Sequence, residues 1–579
     1  MIGAPPHRPA PPAPRTLLDA LAGQLRPGGG RGIRLLDDRG RASYCAYSEL
    51  LVEAAAAGRA LDRAGLRRGD RLLILLPTCR TLVTTLLGCL GRGILPCPVD
   101  PGPGWSRWED GPPEALAAAR RLAVRGIVVA ARRVASLARL HEPGDPLVLP
   151  AEGLRSAPAI GSEEPRLAVG PADPAMLLDA APGEPGEPVL LTHGGLVAHL
   201  TAVGRALRVS EREVLCTLGR LDGWLGLVDG LLLGLFCGFD QVLLSREWAD
   251  GQPGRWLDAL AAFRCTLVLA EESAYGLAAH RLPAEALEPA RDLSSLRRAI
   301  AVSRTVRPGT LQAFSRRFRE QGLPPDLFLP AYGLAAAAGI FTLGRPGAAP
   351  LADRFDRRSL APGGFVHTAG AADSRGRLML SSGEPLPGQE LGIFDPQGRR
   401  RGEGVVGRIC GRGRAFAPAA EPEGWHDTGD LGFVMEGELF VVGRRGEELD
   451  LGGLRYEPAE LEAIATEVPG IRGRGAAAFA LGGETGSQPV LVVAPDGKTG
   501  RQQRGLLADR LGRRVGRTIG VRPQVVLVPG ALLPAVRRGQ VHREEVRARL
   551  FAEPAPGDGE GAQSPPALPG EPGRGSEGG

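Results

Sequence analysis

HDTGDLGFVMEGELFVVGRRGEELDLGGLRYEPAELE, residues 426–462, carries the clearest local signals in the chain. GELFVVGRR, residues 437–445, reads as a hairpin strand, an apolar run bracketed by glycine. YEPAELEAIATEV, residues 456–468, reads as a helix, with acids and a proline in its first turn where both are favoured. Composition changes after about Asp430. Beyond it AAAFAL, QPVLVVAP and PQVVLVP read as strands and QQRGLLADRLGRRVG as a helix, which together describe a small α+β domain.

Upstream the pattern is different. TLLDALAGQL has helical spacing, and IRLLDD is followed by a strand and a long helix in YCAYSELLVEAAAAGRALDRAGL. GDRLLILLP is a short apolar strand, and TLVTTLLGCLGRGILPCPVDP is a helix followed by a strand. RGIVVAARR, AMLLDA and CTLVLAEE continue the alternation. Strands alternating with helices predict an α/β architecture with mainly parallel strands.

The 579 residues exceed one ordinary core, so two or more domains are expected. Aromatic residues make up only 4%, while glycine and proline number 84 and 52, which predicts Gly/Pro-punctuated loops between Leu, Val and Ala elements. Lys498 is the single lysine, so 69 of the 70 basic residues are arginine. Net charge is only +5 and the arginines are interleaved with acids, so no nucleic-acid partner is expected. Eight cysteines lie mostly in apolar runs without a C-x-x-C pair, which fits free thiols in a reducing, cytoplasmic setting. The proline-rich opening lacks the apolar stretch of a signal peptide. WLGLVDGLLLGLFCGF, residues 224–239, falls short of the roughly 20 apolar residues a membrane span needs and is broken by Asp229, so a buried helix is expected. Residues 1–15 and 552–579 hold too little apolar surface to offset ordering entropy and read as disordered.

The opening stretch resembles the acyl-adenylate-forming (AMP-binding) superfamily where its large domain hands over to its small one. The nearest likeness is to the fatty acyl-AMP ligases and the related domains of disco-interacting proteins. T-G-D-L-G-F, G-E-L-F-V-V-G-R and R-Y-x-P-x-x-L-E stand in one register. GLVDGLLLGLFCGFDQVLL, TVRPGTLQAFSRRFREQGLPPDLFLPAYGLAAA, LSSGEPLPGQELGIFDPQGR and LLPAVRRGQVHR are similar to further segments, so the resemblance covers residues 16–550. It implies a large adenylation domain at 16–443 and a small, mobile C-terminal subdomain at 444–551. It also implies a fatty acid substrate in lipid metabolism, ATP or AMP as nucleotide, and an acyl carrier protein or polyketide synthase as partner. In the family's reaction a carboxylate attacks the α-phosphorus of ATP, giving acyl-AMP and pyrophosphate. Anion must meet anion, so donors around the phosphates, a divalent metal and a mobile cation are needed.

The resemblance assigns roles residue by residue. Asp430 and Arg444 fall where the family grips the ribose, and Tyr332 with Gly333 where it packs beside adenine. Gly446 falls at the hinge, where glycine permits backbone rotation. Other positions depart from the pattern. Ala336 stands where a glutamate holds Mg²⁺, and Gln540 where the catalytic lysine sits, so Mg²⁺ is doubtful and no metal ligands are assigned. Arg537 and Arg538 are nearby cations of a different shape. Gly223 and Trp224 replace the family's His-Asp pair. DAAPGEPGEPVLLTH, residues 179–193, occupies the phosphate loop, yet it has no Ser or Thr before Thr192. Pro182, Pro185 and Pro188 lack an N–H, and Glu184 and Glu187 add negative charge. A like-charge pair near 4 Å costs on the order of 4 kcal/mol at an effective dielectric of 20. Losing one preorganised donor costs about 10²–10³ in rate. Two readings stay open: an impaired, nucleotide- or acyl-binding or scaffolding pseudoenzyme, and an active acyl-AMP ligase whose phosphate site is rebuilt from arginines.

Overall fold

In the computed structural model the chain forms two compact units, Met1–Glu448 and Leu449–Gly579. The structure describes residues 14–551 apart from 25–29, 38, 100–112, 140–141, 143, 156–168, 179–187, 245–248, 250–253, 283–290, 371–372, 374–375, 418–423, 452–453, 484–485, 497–500, 530–532 and 534–542. The expectations for residues 1–13 and 552–579, for the first half of the phosphate-loop stretch, and for Lys498, Arg537, Arg538 and Gln540 therefore lie outside the described residues. The division between units falls beyond Gly446, whereas the sequence-based border stands at 443/444.

The first unit is built on a nine-stranded sheet. Its order is Glu384–Pro385, Gly339–Leu343, Phe328–Leu334, Arg298–Val302, Leu267–Glu271, Val214–Thr217, Asp240–Leu244, Gly32–Leu36 and Ala42–Ala46. The run from Phe328–Leu334 to Gly32–Leu36 pairs in parallel, and the margins pair antiparallel. Parallel strands are covered on both faces, which is why Leu267, Val268, Leu269 and Ala270 are buried in succession. From Val214–Thr217 the chain steps to Asp240–Leu244 on one side, then returns to Leu267–Glu271 on the other. Such a reversal opens a crevice at the carboxyl ends of the strands, where ligands bind in α/β sheets. A second, all-parallel sheet joins Leu95–Pro98, Arg71–Ile74, Gly126–Val129 and Leu147–Pro150.

The apolar run at 224–239 is a buried helix, as expected, but not a uniform one. Trp224–Gly226 and Leu233–Cys237 are α-helical, and Leu227–Leu232 between them is a π turn. Asp229 sits in that turn. No described helix is long and apolar enough to cross a membrane.

A five-stranded antiparallel sheet lies in the same unit: Arg400–Arg401, Gln389–Phe394, Gly407–Gly413, His426–Met435 and Glu438–Arg444. The sequence signals a hairpin only at its last two strands. Of the earlier ones, Arg400–Arg401 has only two residues and Gly407–Gly413 is interrupted by glycine and arginine, so the antiparallel architecture begins well before the composition change.

In the second unit, Ile471–Gly483, Gly486–Pro495 and Gln524–Leu527 form a sheet, and Leu449–Leu451 pairs with Leu454–Tyr456. The helix Pro458–Thr466 begins with Pro at its first turn and a capping box between Glu457 and Glu460. Leu461, Leu491, Val493, Leu511 and Val515 form its core. The helix Arg543–Phe551 is fixed by Arg543, whose Nε and Nη2 reach Glu462 at 2.7 and 2.9 Å. All eight cysteines are free thiols, six of them buried.

Candidate functional site

Asp430 lies in His426–Met435, whose partner Glu438–Arg444 follows a two-residue turn at Glu436 and Gly437. Both turn residues have positive φ, 54° and 78°, as a tight hairpin turn demands. The ladder runs Met435↔Glu438 to Gly432↔Val441, then shifts by one, so that Asp430 faces Arg444. Without that bulge Gly443 would stand opposite Asp430, and Arg444 would be turned to the other face. The bulge thus builds the pair: Arg444 Nη1 lies 3.2 Å from Asp430 Oδ1 and donates to the Thr428 carbonyl at 2.8 Å. Gly429 beside them has φ 78°, a conformation that favours glycine, and a Cβ there would press on the Arg444 guanidinium carbon at 2.9 Å.

Tyr332 comes from the neighbouring sheet. Its side chain is buried at the end of Phe328–Leu334, and its hydroxyl donates to Asp430 Oδ2 at 2.7 Å. Burial, and then the Asp430 charge, push the phenol well above its ordinary pKa, so it stays a donor. Arg304, two residues past the strand Arg298–Val302, completes the group. Its Nε is 3.3 Å from Asp430 Oδ1, and its Nη1 donates to Glu447 Oε2 at 3.4 Å. A second carboxylate, Asp427, accepts from the Gly429 N–H and from Arg408 and Arg445 at 2.8, 2.8 and 2.9 Å. Burial pushes its pKa up, but these donors outweigh burial and hold it below the usual 3.8.

Gly333 and Trp224 meet edge to backbone. A Cβ on Gly333 would lie 2.6 Å from Trp224 Cη2 and 2.7 Å from the Gly339 carbonyl oxygen. The indole therefore fills the space over Gly333. Ala336 sits in the 3₁₀ turn Ala335–Ala337, and its carbonyl accepts from the Ala417 N–H at 2.8 Å. Its methyl group offers no ligand atom. Among the described residues, no group of three or more His, Cys, Asp or Glu side chains is placed to hold a metal ion. Gly446 has φ 84° and open space at its Cβ position, and its N–H donates to Glu448 Oε2 at 2.9 Å.

The structure thus joins Asp430, Arg444 and Tyr332 directly, and sets Gly333 against Trp224. Sequence reasoning missed two features. One is Arg304, which precedes a quoted motif by a single residue. The other is a buried pair: His199 Nε2 is 2.7 Å from Asp229 Oδ1, and Asp229 Oδ2 accepts from the Ile340 N–H at 3.0 Å. An aspartate inside an apolar run was the available signal for that pair.

Comparison with known proteins bears on the family and the fold. The family model described as AMP-binding enzyme matches residues 34–181 and 183–419. A Caulobacter vibrioides protein provisionally named an acyl-CoA synthetase is 27% identical over 556 residues, covering 90% of this chain and 93% of the relative. A long-chain-fatty-acid–AMP ligase of Mycobacterium marinum is 26% identical over 547 residues, covering 88% and 91%. Among solved structures, one of the fatty acyl-adenylate ligases from E. coli and L. pneumophila superposes with a TM-score of 0.82 at 24% identity, over 92% of this chain and 97% of that one. That likeness shows the fold: an α/β adenylate-forming architecture with a large parallel sheet.

Proposed function

The chain belongs to the AMP-binding enzyme family, and we propose that it is a fatty acyl-AMP ligase-like protein that holds an adenine nucleotide but is impaired in making acyl-AMP. The observation that carries this reading is the contrast within one site. Asp430, Arg444 and Tyr332 form a connected polar grip, while the adjoining turn presents the Ala336 methyl where a metal-holding carboxylate is required. A buried carboxylate flanked by donors suits ribose hydroxyls, each charged hydrogen bond contributing roughly 1.5–3 kcal/mol. Arg444 orients the Asp430 carboxylate, and the Tyr332 hydroxyl holds its second oxygen in place.

ATP would supply the phosphoanhydride whose cleavage drives adenylation. Mg²⁺ would find no ligand at Ala336, whose methyl replaces the carboxylate that the resemblance calls for. The loop at 179–187 and Gln540 supply neither hydroxyls nor an ammonium group, which supports impairment. A fatty acid as ligand is supported by the relatives named as long-chain-fatty-acid–AMP ligases. A carrier protein or polyketide synthase as partner, and rotation of a small domain about Gly446, belong to the same proposal. The competing reading, an active ligase, is favoured by the near full-length cover of relatives that bear ligase names.

The ribose assignment is tested by thermal denaturation with AMP. AMP is expected to raise the melting temperature of the unmodified protein and to leave Asp430→Ala unshifted. An undiminished shift in Asp430→Ala would refute the assignment.

A further inference from the structure

We propose that Arg304 is an internal occupant of the ribose carboxylate, which a nucleotide must displace, and that Glu447 is the acceptor to which Arg304 retreats. The proposal rests on reading Asp430 as the ribose acceptor. It adds a residue that sets how tightly the site binds.

An ionised carboxylate offers about four lone-pair positions. At Asp430, Oδ2 accepts from Tyr332, and Oδ1 faces both Arg444 Nη1 at 3.2 Å and Arg304 Nε at 3.3 Å. Two ribose hydroxyls require two acceptor positions, and the paired guanidinium groups crowd Oδ1. The two arginines are not equivalent. Arg444 is fixed by the ladder register and by the Thr428 carbonyl. Arg304 stands outside a regular strand, and its guanidinium is shared between two carboxylates, Asp430 and Glu447. Giving up Asp430 leaves it still paired with Glu447, so its displacement does not strand a buried charge. Arg304 is therefore the group that yields.

The proposal fixes an unusual sign. Removing a cation beside a nucleotide site ordinarily weakens the binding of an anionic phosphate ligand. Here removal should strengthen it, because the competitor for Asp430 is gone.

The test is isothermal titration of the full chain with AMP and with 2′,3′-dideoxy-AMP. Arg304→Gln is expected to bind AMP about tenfold more tightly than the unmodified protein. Its affinity for dideoxy-AMP, which has no hydroxyls to offer, should not rise. Unchanged, weaker or undetectable AMP binding by Arg304→Gln overturns the proposal, as does an equal gain for both nucleotides. Adding Asp430→Asn to Arg304→Gln should erase the gain. If the gain persists in that double variant, the ribose reading of Asp430 itself fails. Should Arg304→Gln not fold, Arg304→Lys retains the charge without the planar fork. It is expected to bind AMP about threefold more tightly, and equal or weaker binding overturns the proposal.

Discussion

Asp430 and Gly333 show how much of the site rests on single residues. Asp430 and Arg444 were legible only as positions in T-G-D and G-R that resemble family motifs, whereas their pairing depends on a bulge that plain hairpin spacing does not give. Arg304 was not legible, since its partners Asp430 and Glu447 lie far along the chain and meet it only through the fold. Gly333 was legible as a motif glycine, but its steric reason was not: the Trp224 indole and the Gly339 carbonyl leave no room for a Cβ. Gly333→Ala should therefore destabilise the protein by about 1–3 kcal/mol. Urea denaturation measures this, and an unchanged midpoint would show that the indole does not pack there. The His199–Asp229 pair predicts a larger effect. Asp229→Ala leaves His199 and the Ile340 N–H without their acceptor, so a loss of about 1–3 kcal/mol for each of the two groups is expected in the same measurement.

At the scale of elements, legibility followed local chemistry. The helix Pro458–Thr466 could be read from Y-E-P-A-E-L-E, because a proline and a reciprocal pair of glutamates mark a helix start. Glu457→Ala should lower the stability of the C-terminal unit by about 1 kcal/mol, measurable as a shift in its urea midpoint. No shift would mean that the capping box is not formed in solution. Strands such as Arg400–Arg401 and Gly407–Gly413 gave no comparable signal, since the first has only two residues and the second is interrupted by glycine and arginine, and both owe their pairing to the strands beside them. The π turn at Leu227–Leu232 was hidden for another reason. Its apolar residues suit α- and π-helical turns equally, and Asp229 is held by His199 and Ile340 from other elements.

For the whole molecule, the α/β architecture was legible because alternating strands and helices leave few topologies. Two core clusters, one centred on Leu461, Leu491 and Leu511 and one on Ala477 and Val492, lie wholly in the second unit. We propose that residues 449–551 form a domain that folds alone. Expressed separately, they should melt in one cooperative transition by circular dichroism, and a non-cooperative melt would count against that. The half-buried thiol of Cys237 adds an alkaline limit. Burial pushes Cys237 from 9.0 up to about 12, so the folded state holds this proton more tightly than the unfolded chain. Its contribution to stability is full below pH 9 and is lost as pH rises toward 12. Cys237→Ser should thus flatten part of the fall in urea midpoint above pH 9, and an identical pH profile would contradict this.

The proposed function pairs a nucleotide grip at Asp430 with the loss of adenylation chemistry. Pyrophosphate release from ATP with a panel of fatty acids measures it most directly, run on protein whose AMP-dependent rise in melting temperature has been verified. No fatty-acid-dependent release above the protein-free rate is expected. Sustained release with any fatty acid, at a rate on the order of 1 s⁻¹ as ordinary enzymes show, would contradict it and establish an active acyl-AMP ligase.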